Sequence, residues 1–304
     1  MTVEAVARGT NKPEFIVKNW DQVNCPFCDK NDFKSHEKFG PGHRYSYVQC
    51  KSCDLVYLNP RPRYDAEFIE TAYGDYSDES YYMSHDGALS EGQQKQIEEY
   101  KVILKRIIPY LPQVQNRKLK MLEVGCADGM FLMAASQLGF EVVGIDITQK
   151  AINGINNFLK LKAYCHQYHD LDLSADGPFD LIYCSHVIEH IPNVHEWMEK
   201  FKKDLGPNGI LCLNVPNQYA LDKFFKRFLK NIGLKKDKWA LWRTPDHLYE
   251  PHTAPMKYLL EKHKFKLLDL YTYSKNEEVE ISVGKKIYHH WLKLAAKERY
   301  IAKL

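Results

Sequence analysis

Residues 119–129, reading Leu-Lys-Met-Leu-Glu-Val-Gly-Cys-Ala-Asp-Gly, constrain this chain more than any other stretch. An apolar run enters a turn holding Gly125 and Gly129, and an apolar helical run follows at once. Such a turn lets backbone come close to a ligand and places a helix N-terminus behind it. A second short strand, 141–145, ends in Asp146, 21 residues after Gly125. An acid at that position suits ribose hydroxyls. The dinucleotide fingerprint is absent, because G-x-G-x-x-G would need glycine at Ala127 and at Met130. No Gly-Lys-Ser/Thr marks a triphosphate loop either. Glu123, ahead of the turn, suits a ligand with a cationic amino group better than a pyrophosphate.

The surrounding pattern alternates. Strands are expected near 119–124, 141–145, 162–165, 179–184 and 209–215, and helices near 129–138, 148–160, 193–205 and 253–263. Alternation of this kind implies an α/β fold, a Rossmann-like parallel sheet with helices on both faces. A strand near 266–272 and a partner near 278–283 are expected to form an antiparallel edge hairpin, followed by a C-terminal helix over 285–304. The apolar spacing of Ile97, Tyr100, Ile103, Leu104 and Ile107 predicts a helix from Ser90 to Leu111. The domains then divide into an arm (1–20), a cysteine ribbon (21–62), a Tyr-rich linker with a capping helix (63–118) and the sheet domain (119–284). The insert 217–250 is long for a connection and is expected to cover the site.

With 44% hydrophobic and 27% charged residues in 304, a sizeable core is available. A net charge of +3 does not announce a nucleic-acid binder. No stretch reaches the roughly 18 apolar residues of a membrane span, and the N-terminus lacks an apolar signal segment. The expected location is cytoplasmic. Eight cysteines in a reducing compartment point to metal or buried thiols, not disulfides.

Cys25-Pro-Phe-Cys28 and Cys50-Lys-Ser-Cys53 are two C-x-x-C knuckles with 21 residues between them. Two knuckles can present four thiolates tetrahedrally to one structural zinc, with no open position for catalysis. A redox pair needs no second copy. The ribbon is too short for a good core of its own, so the metal would supply folding energy. His36 and His43, between the knuckles, are expected in loops.

Glu123, the Gly125–Gly129 turn and Asp146 together resemble the cofactor motifs of class I S-adenosylmethionine (SAM) methyltransferases. The resemblance implies SAM contacts at Glu123, Gly125, Cys126, Gly129, Asp146 and Ile147. It implies further contacts at Asp170 and Leu171 in the loop after the third strand, and at Ser185 after the fourth. Ala127 stands where the family usually has glycine, a departure that crowds the turn slightly. After the fourth strand comes Ser185-His-Val-Ile-Glu-His-Ile-Pro192, at the carboxyl edge where open α/β sheets bind ligands. The Glu-His pair and the N-terminal cysteines make the chain similar to the methyltransferase group that contains sugar C-methyltransferases of antibiotic pathways. That similarity implies active-site roles for Glu189 and His190. His186, four residues before His190, and His247, in Asp246-His-Leu-Tyr-Glu250, are further candidates, with Tyr249 beside them. The sugar enzymes carry an additional large C-terminal domain that is missing here, so their substrate does not transfer.

The segment 223–238 reads as a basic amphipathic helix. Packing of its apolar stripe on the domain is the simpler reading. Contact with an anionic, phosphorylated or nucleotide-linked substrate is the sharper one, and peripheral membrane contact is less favoured. The expected function is methyl transfer from SAM to a hydroxyl, or next to a carbon, of a small molecule or glycan intermediate. A zinc-ribbon RNA methyltransferase and a non-enzymatic SAM-binding scaffold are the rivals. The ribbon shows no basic-aromatic stacking pattern, so no specific nucleic-acid partner is expected.

Overall fold

The computed structural model describes residues 19–39, 44–73, 89–217, 220, 246–273 and 295–304. A seven-stranded sheet forms its centre. The strands are β6 (Lys120–Val124), β7 (Glu141–Asp146), β8 (Lys162–Cys165), β9 (Phe179–Ser185), β10 (Leu205–Pro216), β12 (Lys266–Tyr273) and β13 (Lys297–Lys303), in the order β12-β13-β10-β9-β6-β7-β8. Strands β8, β7, β6, β9 and β10 run parallel, and β13 lies antiparallel between β10 and β12.

Successive residues of these strands point to opposite faces, so near-continuous apolar runs such as Leu181-Ile182-Tyr183-Cys184 feed two cores at once. Ile182 and Cys184 pack on one face with Trp197, Met198 and Phe201 of α5 (Val194–Asp204) and Met256, Leu259 and Leu260 of α6 (Thr253–Lys262). Leu181 and Tyr183 pack on the other with Ile103, Leu104 and Ile107 of α2 (Glu91–Ile107) and Phe131 of α3 (Met130–Gln137). Helix α4 (Gln149–Gly154) continues into a π turn over Ile155–Leu159 and covers the β7–β8 edge. Ser90 begins α2 with a capping box, exchanging hydrogen bonds with Gln93. Buried Asp180 on β9 accepts from Arg117 (2.6 and 2.8 Å) and from the Lys120 amide (2.8 Å), which ties β6 to its neighbour.

The ribbon brings β1 (Trp20–Asp21), β2 (Phe33–Phe39), β3 (Tyr45–Cys50), β4 (Val56–Leu58) and β5 (Arg61–Pro62), and α1 (Ala66–Tyr73) follows it. Strand β4 pairs with β11 (Tyr249–Glu250), giving the sheet β11-β4-β3-β2. Ribbon residues Phe27, Val48 and Tyr57 therefore share a core with Leu122 and Ile182 of the large sheet.

Three expectations change. The C-terminal helix over 285–304 is replaced, in its described part, by β13, and this strand is the antiparallel partner of β12. The run Glu298-Arg-Tyr-Ile-Ala302 is buried throughout, as suits a short internal strand covered on both faces. The proposed partner near 278–283 lies outside the described residues, as do His43, the arm 1–18, the basic segment 223–238 and most of the insert. His36 sits in β2 and not in a loop.

Candidate active site

The turn after β6 carries three residues with positive φ: Gly125 (76°), Ala127 (43°) and Gly129 (72°). The amides of Gly125 and Cys126 donate to the Ile145 carbonyl (2.8 and 3.0 Å). Those of Ala127 and Thr148 donate to the two carboxylate oxygens of Asp146 (both 2.9 Å). Asp146 is thus tied to the turn that it faces. Gly125 is required for space as well as for conformation, since a Cβ there would lie 2.2 Å from Val187 Cγ2. One at Gly129 would lie 2.7 Å from Ile155 Cγ1.

Glu123 is buried at the end of β6, and its Oε2 has no hydrogen-bond partner in the protein. Burial, then the nearby Asp128 and Asp146, push its carboxyl well above the usual range. An orphaned acid facing two others is a receptor for a cationic amine, which would restore its charge. This is the polarity of the amino-acid end of SAM. Ile147 follows Asp146, and its carbonyl accepts from the Cys165 thiol (3.5 Å). Asp170 ends a 3-10 turn and is exposed beside His169 (3.3 Å), while Leu171 packs under the main core. Neither joins the acid cluster of Glu123, Asp128 and Asp146.

Ser185 closes β9, one strand over from β6. Its hydroxyl accepts from Asn214 Nδ2 (3.1 Å), which also donates to Tyr183 Oη (2.5 Å), and Asn214 Oδ1 accepts from Arg299 Nε (2.7 Å). Arg299 is fully buried and was not indicated by the sequence pattern. A charged residue inside a strand of undetermined partners gives no directional signal.

Beyond Ser185 the chain turns sharply, with His186 at φ 55°. A 3-10 turn over Ile188–His190 places Glu189 fully inside the protein. His186 Nδ1 lies 3.3 Å from Glu189 Oε1, and Glu189 Oε2 is buried with no hydrogen-bond partner in the protein. Burial would raise this carboxyl, but the His186 hydrogen bond and the neighbouring His190, His186 and His247 rings in their protonated form outweigh it and hold it at about 2. His190 Nδ1 lies 2.9 Å from the Asp246 carbonyl, and His247 Nδ1 lies 3.3 Å from Glu250 Oε1. The two rings meet edge to face at 4.7 Å.

The segment 246–250 is held from both sides. Its Leu248 amide donates to the Glu189 carbonyl (2.8 Å), and its Leu248 carbonyl accepts from the Leu58 amide (2.8 Å). Tyr47 Oη donates to the His247 carbonyl (2.9 Å). Buried Tyr249 donates its hydroxyl to the Ile188 carbonyl and packs edge to face on Phe27. Tyr249 is therefore a structural pin and does not line the site. Four of the sequence candidates, His186, Glu189, His190 and His247, are brought together. Glu250 and the Asp246 carbonyl, which orient the two imidazoles, could have been suspected only from their adjacency to His247.

The four ribbon sulfurs converge, with Cys25 and Cys53 Sγ 3.4 Å apart, Cys28 and Cys50 Sγ 3.5 Å apart, and all four within 4.8 Å. The Cys53 hydrogen bond draws the Cys25 thiol down to about 6, whereas burial lifts Cys28 to about 11.

The methyltransferase-domain family profile matches residues 94–270, more than half of the chain. A ubiquinone biosynthesis O-methyltransferase of Rickettsia akari is 31% identical over 158 residues, covering 48% of this chain and 63% of that protein. Its counterpart in Rickettsia conorii is 31% identical over 104 residues, 33% of this chain and 36% of that one. The chain thus spans less than two thirds of these relatives. Among solved structures, a SAM-dependent methyltransferase from Archaeoglobus fulgidus aligns at 18% identity and TM-score 0.47, over 68% of this chain and 94% of its own. Magnesium protoporphyrin IX methyltransferase from Synechocystis aligns at 15% and 0.48, over 77% and 95%.

Proposed function

The chain belongs to the methyltransferase-domain family and is a SAM-dependent methyltransferase; from that premise we propose that its acceptor is a hydroxyl, or next a carbon, of a small molecule or glycan intermediate. The observation that supports this reading is the placement of two chemically distinct poles on adjacent parallel strands. The acid pole, Glu123, the Gly125–Gly129 turn and Asp146, follows β6 and β7. The imidazole pole comprises His186, Glu189 and His190, which follow β9, with His247 from the segment before β11 brought beside them.

In this reading the acid pole holds the cofactor, with Cys126, Ile147, Asp170, Leu171 and Ser185 along its edge. Methyl transfer from a sulfonium is an in-line displacement with a neutral leaving group, so alignment supplies much of the rate. An acceptor hydroxyl must still lose a proton. A carbonyl can only accept, so the Asp246 carbonyl fixes the His190 proton on Nδ1 and leaves Nε2 as the lone pair. His190 is then the base, contributing roughly 10²–10⁴-fold. The O-methyltransferase names of the rickettsial relatives agree with an oxygen acceptor.

The ribbon is proposed to hold one structural zinc on Cys25, Cys28, Cys50 and Cys53. Zinc–sulfur bonds of about 2.3 Å place tetrahedral thiolates about 3.8 Å apart, and the sulfur separations here are close to that. Release of S-adenosylhomocysteine from SAM, measured across panels of hydroxylated metabolites, sugars and nucleotide sugars, tests the acceptor class. Turnover with RNA and with none of these panels would sink it.

A further inference from the structure

We propose that Glu189, His190 and His247 form a second metal site, distinct from the ribbon, that takes a divalent first-row cation and presents it to the methyl acceptor. One potential ligand atom from each of these three residues lies within 4.8 Å of the other two. Two imidazoles and one carboxylate on one side of a cation leave the other side open, the arrangement that suits a borderline divalent ion together with an oxygen ligand.

The surroundings of the three side chains are those of metal ligands. Metal-bound histidines almost always give their second ring N–H to a carboxylate or a backbone carbonyl, which fixes the tautomer and turns the lone pair to the metal. His190 has the carbonyl version, to Asp246, and His247 has the carboxylate version, to buried Glu250. Both proton positions fall on Nδ1, so both lone pairs are on Nε2. The third ligand is independent of them. Glu189 is 0% exposed, and its Oε2 meets no donor in the protein, although its Oε1 is paired with His186. A buried carboxylate oxygen with no donor is costly to keep, and a cation between the two imidazoles relieves it.

The proposal rests on the methyl-transfer reading for what the cation does, but not for where it binds. A cation held here would coordinate the acceptor oxygen and lower the pKa of its hydroxyl. The proton then leaves to water, and an O–C bond forms as the S–C bond of the sulfonium breaks. S-adenosylhomocysteine departs neutral. His190 Nε2 is occupied by the cation in that state, so the cation takes over the work of the imidazole base. The ligand set also explains why the ribbon is fused to this domain. The ribbon holds one side of the segment that carries His247, through the pairing of β4 with β11 and the Tyr47 bond to the His247 carbonyl.

Manganese distinguishes the two sites, because it favours nitrogen and oxygen ligands over thiolates. Titration of the purified full chain with Mn2+, followed by electron paramagnetic resonance, should show one bound ion per chain. His247→Ala and Glu189→Gln should each weaken it at least about tenfold. SAM affinity, measured by calorimetry on the same preparations, should stay at the wild-type value and so certify folding. His247 is the cleaner variant, since its side chain is 30% exposed. Absence of Mn2+ binding to folded wild type up to millimolar concentration would overturn the site, as would equal binding by His247→Ala. If wild type binds Mn2+ as expected but no SAM, the methyl-transfer reading fails and the metal site stands.

Discussion

The proposed cofactor half and the proposed acceptor half of this molecule are built in opposite ways. The cofactor half draws nearly everything from one stretch, 120–148, where strand, turn, helix and strand follow one another. Its functional groups touch through contacts such as Asp146 to Ala127 and Thr148. The acceptor half is assembled from 186–190, 246–250 and the ribbon, joined by contacts that span up to 200 positions, as between Tyr47 and His247. Local assembly makes a site that survives damage elsewhere. Remote assembly makes one that depends on every piece that brings the chain together.

The sharpest break between the halves should come from the ribbon. Cys50→Ser leaves three sulfur ligands for the proposed zinc, and structural zinc contributes on the order of 10 kcal/mol of folding energy in small modules. Most of the protein should become insoluble. In any soluble fraction acceptor turnover should vanish while SAM binding is retained. Equal loss of both would mean that the halves are a single cooperative unit.

His190→Ala probes the acceptor half alone. A fall in kcat of roughly 10²–10⁴ is expected whether the imidazole takes the proton itself or holds the cation that acidifies the acceptor, with SAM affinity near wild type by calorimetry. A loss under about tenfold would return His190 to a structural role. Asp146→Ala is its mirror in the cofactor half. It removes the acceptor for ribose hydroxyls and should weaken SAM by roughly 1–3 kcal/mol. Some of that comes from release of the Ala127 and Thr148 amides, so Asp146→Asn, which keeps one acceptor oxygen, should lose less.

The smallest expected effect concerns the seam between α5, α6 and the ribbon. His195 Nδ1 lies 2.7 Å from His263 Nε2, His263 Nδ1 lies 2.7 Å from Glu199, and Lys262 reaches both His195 (3.3 Å) and the Phe27 carbonyl (2.9 Å). Burial lowers both histidines. Lys262 adds to this, and Glu199 partly offsets it at His263. Both are then neutral in the fold but protonate near pH 6.5 when unfolded. Protons bind the unfolded state more strongly, so stability is full above about pH 6.5 and declines as the pH falls below it. Melting temperatures from pH 7.5 to 5.5 should drop less in a His263→Gln variant than in wild type. An identical drop would remove this seam as the source.

The same contrast explains what could be read from the sequence. The turn, Glu123, Asp146 and the alternation of strands and helices are local signals, and periodicity with glycine chemistry reports them directly. The Cys-x-x-Cys spacing announced the convergence of four sulfurs for the same reason. The C-terminal strand was hidden because Glu298 and Arg299 look like surface charges. Inside the sheet Glu298 accepts from Thr253 (2.6 Å) and Tyr300, and Arg299 donates to Asn214 and Tyr271 (2.7 and 2.5 Å). Tyr249 looked like a substrate contact and proved to be a pin, since nothing in a linear pattern tells an aromatic that faces a ligand from one that faces Phe27. His247 stands out as a histidine, but its place beside Glu189 rests on contacts remote in sequence, the Leu248 amide to the Glu189 carbonyl and the pairing of β4 with β11.

The close approach of Gly125 to Val187 has a mechanical consequence. The two loops interlock like meshed teeth, one carrying the cofactor turn and the other leading into Glu189 and His190. With the methyl donor on the first loop and the acceptor on the second, as proposed, the β6–β9 spacing sets the span between them, as in a fixed-jaw gauge. In that arrangement a side chain at position 125, besides straining the turn itself, would push the jaws apart and lengthen the methyl's path.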